Sequence, residues 1–465
     1  MLRICVTGAT GFIGKNLLKH LKGRSDYEII ALSRKITDQL DGAKKDNTIW
    51  RSCNGFSMIE AEKVTKDVDV LIYLIHSMIP PVSLSQGSFR DYDLYLADNF
   101  ARACAKNGVK KIIYISGLIP DNLERSELSE HLKSRSEIES TLGQYGTSVT
   151  TLRAGLIVGK EGSSFKILER LVNRLPLFLC PKWTNSKCQT IDLSYVLISL
   201  DYCFDHIDNL EDVYDIGGPE ILTYKNMLLK TAEVMGKKRK AISVPFLSPM
   251  LSRFWVSQIT GCDTHLVYPL VESLKHDMVV RKDHQLLIEN HQYKSFSQSI
   301  ADSRASHDEG WIWRITDFKL DINIPVLKNV SSLQRMFASK KMSALEVSNL
   351  YFSWLPKFFK PFILVERKDH DVFFKGLGIK LLHLRKSDKR GDDNRVVYYV
   401  VSGFLASRKS FNGRLEFRWM PAQNCFLIAL LDFRPALPWI FYKFTQAIIH
   451  LFVMNKFHQY LKSRK

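Results

Sequence analysis

Two architectures in tandem are predicted: a doubly wound α/β unit with a parallel sheet over residues 1–300, then an α+β unit with an antiparallel sheet over 331–465, joined by a linker at 301–330. Three observations carry this. A glycine-rich turn, Val6 to Gly14, lies between an apolar strand pattern and a helical pattern. Buried-strand and amphipathic-helix patterns then alternate, as they do where a parallel sheet is covered on both faces. Beyond about residue 330 the alternation gives way to strand-like segments, and the charge changes sharply.

Leu2, Ile4 and Val6 define the first strand, and Leu17, Leu18 and Leu21 the apolar face of the helix that follows. Gly8 permits the tight turn, Gly11 lets backbone approach a pyrophosphate, and Gly14 lets helix and strand pack closely. The N-terminus of the new helix would present amide groups to the phosphates, which makes Thr7, Gly8, Thr10, Gly11, Phe12, Ile13 and Gly14 candidate cofactor contacts. Further strands are expected at Glu28–Leu32, Val68–Ile75, Lys111–Ser116, Val149–Val158 and Val213–Ile216, with a helix from Tyr92 to Asn107. In the last third, strands are expected at Asp371–Phe374, Arg395–Val401, Gly413–Met420 and Phe426–Phe433, before one long helix from Trp439 to Leu461.

The net charge of +18 is concentrated at the C-terminal end. Residues 331–465 carry 24 Lys and Arg against 9 Asp and Glu, while the first 330 residues carry 42 against 39. A basic surface of this kind suits anionic lipid headgroups or acidic ligands. No recognition-helix pattern accompanies it, so nucleic acid is not an expected partner. Eight dispersed cysteines without Cys-x-x-Cys spacing, and a start directly on a strand, lead to the expectation of a cytoplasmic protein with reduced thiols. No metal-ligand spacing is present.

The second strand ends Leu32-Ser33-Arg34-Lys35, without the carboxylate that would hold the adenosine ribose of NAD. Arg34 can pair with a 2′-phosphate and Ser33 can donate to it, so NADP(H) is expected in preference to NAD(H). Asn54, after the third strand, is the candidate adenine contact.

With these residues, together with Tyr73-Leu74-Ile75-His76-Ser77-Met78, Tyr114-Ile115-Ser116-Gly117-Leu118 and Leu152-Arg153-Ala154-Gly155, the chain resembles the atypical short-chain dehydrogenase/reductases. It is most similar to the YbjT-like group, related to NmrA-like NADP-binding proteins. The C-terminal segments Leu333-Gln334-Arg335, Trp354-Leu355-Pro356 and Gly413 to Arg418 resemble the domain appended in that group, which is held to be similar to the helix-grip folds of START-like lipid-binding proteins. The resemblance implies a carbonyl-orienting role for Ser116 and backbone contacts to the nicotinamide side from Gly155.

Catalytic members of the superfamily place a tyrosine and, four residues on, a lysine on one helical face. This chain offers His131 and Arg135 there. Arginine can hold ribose hydroxyls and supply charge but does not share a proton, whereas histidine titrates near neutrality. Two readings stay open: that His131 supplies a proton, or that the pair contacts cofactor without catalysis. His76 either lines the nicotinamide pocket or is structural.

The C-terminal helix has an aromatic face, with Lys443, Gln446 and His450 interrupting its apolar run. Core packing is expected of it, with peripheral contact to an anionic membrane as a second role and membrane association accordingly. Three functions follow as expectations: an NADP(H)-dependent oxidoreductase acting on a hydrophobic carbonyl or quinone-like small molecule, a non-catalytic NADP(H)-binding redox sensor, or a lipid-binding or membrane-surface protein that uses the nucleotide fold structurally.

Overall fold

The computed structural model describes residues 1–34, 41–76, 84–120, 123–124, 126–244, 256–261, 268, 271–305, 329–407 and 412–464. Lys35, Ser77, Met78 and most of the expected 301–330 linker lie outside them. The chain divides into two compact units, residues 1–78 with 96–313, and residues 79–95 with 314–465.

The first unit is built on an eight-stranded sheet in the order Val213–Ile216, Ser148–Ala154, Lys111–Gly117, Val70–Tyr73, Leu2–Val6, Tyr27–Ser33, Thr48–Ser52, Lys44–Lys45. The pairings are parallel apart from that between the last two. Successive side chains on a strand face opposite ways, and here both faces are buried. Ile4, Val6, Ile29 and Ala31 pack with Leu17, Leu21 and Leu200, while Cys5, Ile30, Leu32 and Leu71 pack with Ala61, Ala97 and Phe100. The first strand lies between Tyr27–Ser33, which follows it in the chain, and Val70–Tyr73, which is reached by crossing back. Strand order therefore reverses at the end of Leu2–Val6, where doubly wound sheets bind their ligands.

The second unit is a sheet in the order Leu364–Lys368, Asp371–Gly376, Ile379–Lys386, Arg395–Ser402, Arg414–Met420, Cys425–Phe433, Val330–Met336, Leu84–Gln86. It is antiparallel as far as Val330–Met336. The final strand pairs in parallel and comes from residues that the sequence reading had placed in the nucleotide domain. That segment is held by side chains as well as by its ladder. Tyr92 donates its hydroxyl to the Ser331 carbonyl at 2.9 Å, and Arg335 Nε lies 2.8 Å from an Asp91 carboxylate oxygen.

One face of this sheet packs on helices Ala344–Phe358 and Gln446–Ser463 through rings. Phe352 meets Tyr398 at 5.0 Å, and Tyr351 meets Phe457 at 5.0 Å and Phe417 at 5.7 Å. This face is occupied by packed aromatic side chains. On the opposite face, Arg414, Glu416 and Arg418 alternate along one strand, and Glu416 accepts hydrogen bonds from all three of Arg395, Arg414 and Arg418. Burial alone would raise the Glu416 carboxyl, but the three guanidinium groups carry it well below the usual carboxylate range. Arg418 also stacks on the Tyr95 ring at 3.8 Å and donates to its hydroxyl.

The single C-terminal helix expected from periodicity is two, Trp439–Phe444 and Gln446–Ser463. Thr445 breaks it, with φ −126° and ψ −82°. Its hydroxyl bonds the Phe441 carbonyl four residues back, a competition that bends helices.

Candidate functional site

Each glycine of the turn meets a different backbone constraint. Gly8 has φ +65°, and a Cβ there would stand 3.0 Å from the Leu74 carbonyl oxygen. At Gly14 a Cβ would meet the Gly8 oxygen at 2.4 Å and Ala9 Cα at 2.7 Å, so helix and strand meet through this residue. At Gly11 the one neighbour within 4 Å is the Gly8 oxygen, at 3.1 Å, which leaves space beside its Cα. Helix Phe12–His20 begins here with no side-chain cap and no acid in its first turn. Its first-turn amides and partial positive charge are available to an anion, with Phe12, Ile13 and Gly14 supplying the N–H groups. Thr10 and Gly11 are exposed at the turn. The Phe12 ring lies against Gly159 and Gly162, where a Cβ would approach it to 2.9 and 3.1 Å. Sequence reasoning missed these two glycines, whose signal was the turn following Val158.

Two expected contacts have structural work instead. Thr7 is fully buried. Its hydroxyl donates to the Ile72 carbonyl at 3.1 Å and accepts from the Leu74 N–H at 3.0 Å, joining the first strand to its neighbour rather than facing a phosphate. Gly155 donates its N–H to the Ile216 carbonyl, and a Cβ would fall 1.8 Å from the Gln189 oxygen. It is glycine because another backbone passes there, and it has no N–H left for a nicotinamide.

Strand Tyr27–Ser33 ends with Ser33 half-buried and Arg34 exposed. Asn54 follows strand Thr48–Ser52 and accepts the Phe56 N–H through Oδ1 at 3.2 Å. It thereby shapes the turn into helix Met58–Val64, which Ser57 caps.

The catalytic candidates gather at the same end of the sheet. Ser116 lies near the end of strand Lys111–Gly117, and its buried hydroxyl makes no hydrogen bond among the described residues. Helix Glu130–Leu142, capped by Ser129, packs on that strand and carries His131 in its first turn and Arg135 one turn on. Arg135 Nη1 donates to the Tyr114 hydroxyl at 3.3 Å and the Ile115 carbonyl at 3.4 Å. Tyr114, which sequence reasoning had taken only as strand, thus stands beside the site, two residues before Ser116. The His76 and His131 rings lie 5.1 Å apart, which places His76 within this cluster.

His131 Nδ1 is buried and makes no hydrogen bond among the described residues. Burial, then the neighbouring His76 and Arg135, push its pKa well below the ordinary imidazole range. The imidazole is therefore neutral at pH 7, which corrects the expectation of a group titrating near neutrality. A neutral ring can take a proton at one nitrogen or offer the weakly acidic N–H of the other. It is not a standing source of an imidazolium proton.

Residues 4–178 match the NAD dependent epimerase/dehydratase family. Over 151 residues the chain is 32% identical to the auxiliary protein GraX of Staphylococcus aureus, a match covering 32% of this chain and 43% of GraX, less than half of that protein's length. It is 23% identical over 263 residues to a UDP-glucose 4-epimerase of Vibrio cholerae, covering 52% of this chain and 78% of the epimerase. Among solved structures, a nucleoside-diphosphate-sugar epimerase from Staphylococcus aureus aligns with a TM-score of 0.51 at 16% identity, over 65% of this chain and 100% of that one. The Citrobacter sp. triphenylmethane reductase complexed with NADP(H) aligns with a TM-score of 0.50 at 16% identity, over 64% and 99%. These two likenesses show the fold.

Proposed function

We propose that the first unit, whose residues 4–178 match the NAD dependent epimerase/dehydratase family, is an NADP(H)-dependent oxidoreductase acting on a carbonyl or quinone-like small molecule. One observation carries this reading. Two buried polar atoms without partners among the described residues, Ser116 Oγ and His131 Nδ1, stand on adjoining elements at the end of the sheet that holds the phosphate cradle. Leaving such atoms unpaired costs about 1–3 kcal/mol each, and a bound oxygen would relieve it.

The residues fit a dinucleotide. The first-turn amides of helix Phe12–His20 would hold the pyrophosphate, Ser33 and Arg34 the 2′-phosphate, and Asn54 the adenine end. Arg34, in place of an acid, supports the phosphorylated cofactor. When bound, the nicotinamide supplies or accepts hydride. Ser116 donates its hydroxyl hydrogen to the substrate oxygen and orients it. In reduction the substrate oxygen would take its proton from water, relayed by the neutral His131 imidazole accepting at one nitrogen as it releases from the other; in oxidation the relay would run in reverse. Arg135, tied to Tyr114 and Ile115, places a fixed positive charge one helical turn away, where negative charge on oxygen is stabilised. Ile75, Leu156 and Ile157, half-buried nearby in the chain, supply apolar surface.

The test is oxidation of NADPH by the full chain over a panel of aromatic carbonyls and quinones. Ser116→Ala is expected to lower kcat/KM about 100-fold on any substrate found, the scale of a lost positioned proton donor. Cofactor affinity should be retained. Turnover unaffected by Ser116→Ala and His131→Phe would overturn the assignment of roles.

A second reading, a non-catalytic NADP(H)-binding sensor, is favoured by the neutral His131. It draws support too from the relative at 32% identity, which is called an auxiliary protein. NADPH binding without turnover on the whole panel would select it.

A further inference from the structure

The second unit exposes large apolar side chains around one end of its sheet. Phe362 is 62% exposed, Leu377 87%, Phe404 60%, Phe441 65% and Phe444 67%. They come from separate segments that backbone and ring contacts join in sequence. A Cβ on Gly376, beside Leu377, would lie 3.1 Å from the Phe362 carbonyl oxygen. Phe404 donates its N–H to the Lys380 carbonyl at 3.0 Å, and Ala436, just before helix Trp439–Phe444, donates to the Leu405 carbonyl at 3.0 Å. Phe452, on the last helix, meets Phe358 at 6.2 Å, and Phe358 leads back through Phe359 to Phe362, whose N–H bonds the Phe359 carbonyl. The apolar side chains therefore ring one end of the unit.

The charge of these segments is predominantly positive, and the acids that flank them, Glu366 and Asp432, are paired with Lys375 and Arg414. Residues 357–364, 375–382, 400–407 and 434–452 contain Lys357, Lys360, Lys375, Lys380, Arg434 and Lys443, with no Asp or Glu. Aromatic and aliphatic side chains flanked by an excess of cations match the boundary between headgroups and acyl chains of an anionic bilayer. A second copy of the same face would set cation against cation. No helix among the described residues is long and apolar enough to cross a membrane.

We propose that this end of the second unit docks on an anionic lipid bilayer, with Phe362, Leu377, Phe404, Phe441 and Phe444 inserted at the interface and the surrounding lysines on lipid phosphates.

The test is co-sedimentation of the full chain with phosphatidylcholine vesicles, with and without phosphatidylglycerol. Binding is expected to the anionic vesicles, to weaken as salt is raised, and to fall about tenfold in Phe404→Ser/Phe444→Ser. Both side chains are exposed, so the melting temperature should hold; Lys357→Glu/Lys360→Glu provides a second variant that leaves the apolar side chains in place and should weaken the same binding. No binding to anionic vesicles, equal binding to neutral ones, or retention by both variants would overturn the proposal. So would a concentration-dependent dimer abolished by Phe404→Ser/Phe444→Ser, because the face would then belong to a second copy.

Discussion

Alanine at Gly11 and alanine at Gly14 should have opposite consequences, although the two glycines are three residues apart in one turn. At Gly14 the new methyl would stand 2.4 Å from the Gly8 oxygen and 2.7 Å from Ala9 Cα, both backbone atoms that cannot swing aside. Overpacking of this kind costs about 1–3 kcal/mol, which in a domain of this size is a fall of roughly 3–10 °C in Tm. At Gly11 the backbone is extended, with φ −78° and ψ 177°, and alanine adopts it without strain. The one close neighbour, at 3.1 Å, needs to move by a few tenths of an ångström. That cost is offset by the roughly 0.4–1 kcal/mol gained from stiffening the unfolded chain, so stability should change by less than about 1 kcal/mol. The methyl nevertheless occupies the side from which a pyrophosphate approaches the helix N-terminus. NADPH affinity should drop at least about tenfold, or about 1.4 kcal/mol. Thermal melting and calorimetric titration of both variants separate the two effects. Wild-type affinity in Gly11→Ala, or a wild-type Tm in Gly14→Ala, would refute the account of the cradle.

Arg34→Glu should weaken NADPH about 10–100-fold, the worth of a charge-assisted hydrogen bond, and narrow or invert its advantage over NADH in parallel titrations. The pH profile of kcat/KM should show no inflection between about 6 and 8 that disappears in His131→Phe, because the folded-state pKa of His131 is depressed well below its usual value near 6.5. The same depression has a stability consequence. Above about 6.5 the ring is neutral folded or unfolded, and as pH falls below 6.5 the unfolded chain gains the proton first, so stability is lost. His450, lowered to about 4 by burial, acts in the same direction between about 6.5 and 4, and melting temperatures measured across that window should fall less steeply in His450→Gln. Glu416→Gln leaves Arg395, Arg414 and Arg418 without their shared counter-charge and should cost about 3–5 kcal/mol, read as a lower unfolding midpoint in urea.

What the sequence displays well is local. The strand, glycine turn and helix from Leu2 to His20 are adjacent in the chain, and so is the one-turn spacing that sets His131 and Arg135 on a single helix. What it hides depends on partners distant in sequence. Thr7 and Gly155 sit in cofactor-like motifs, yet Ile72 and Leu74 occupy the hydroxyl of one, and Gln189 and Ile216 crowd the backbone of the other. The three-residue strand Leu84–Gln86 has no periodicity of its own and is defined by its pairing with Val330–Ser332. His131 looks like a neutral-range acid in isolation. Its protonation state is set by burial and by His76, which lies three residues beyond strand Val70–Tyr73.

Calorimetric titration of the full chain with NADPH and, separately, NADH tests the central claim most directly. The cradle and Arg34 together predict one site per chain, filled by NADPH at least about tenfold more tightly than by NADH. Absence of binding by either dinucleotide, or tighter binding of NADH, would contradict the account.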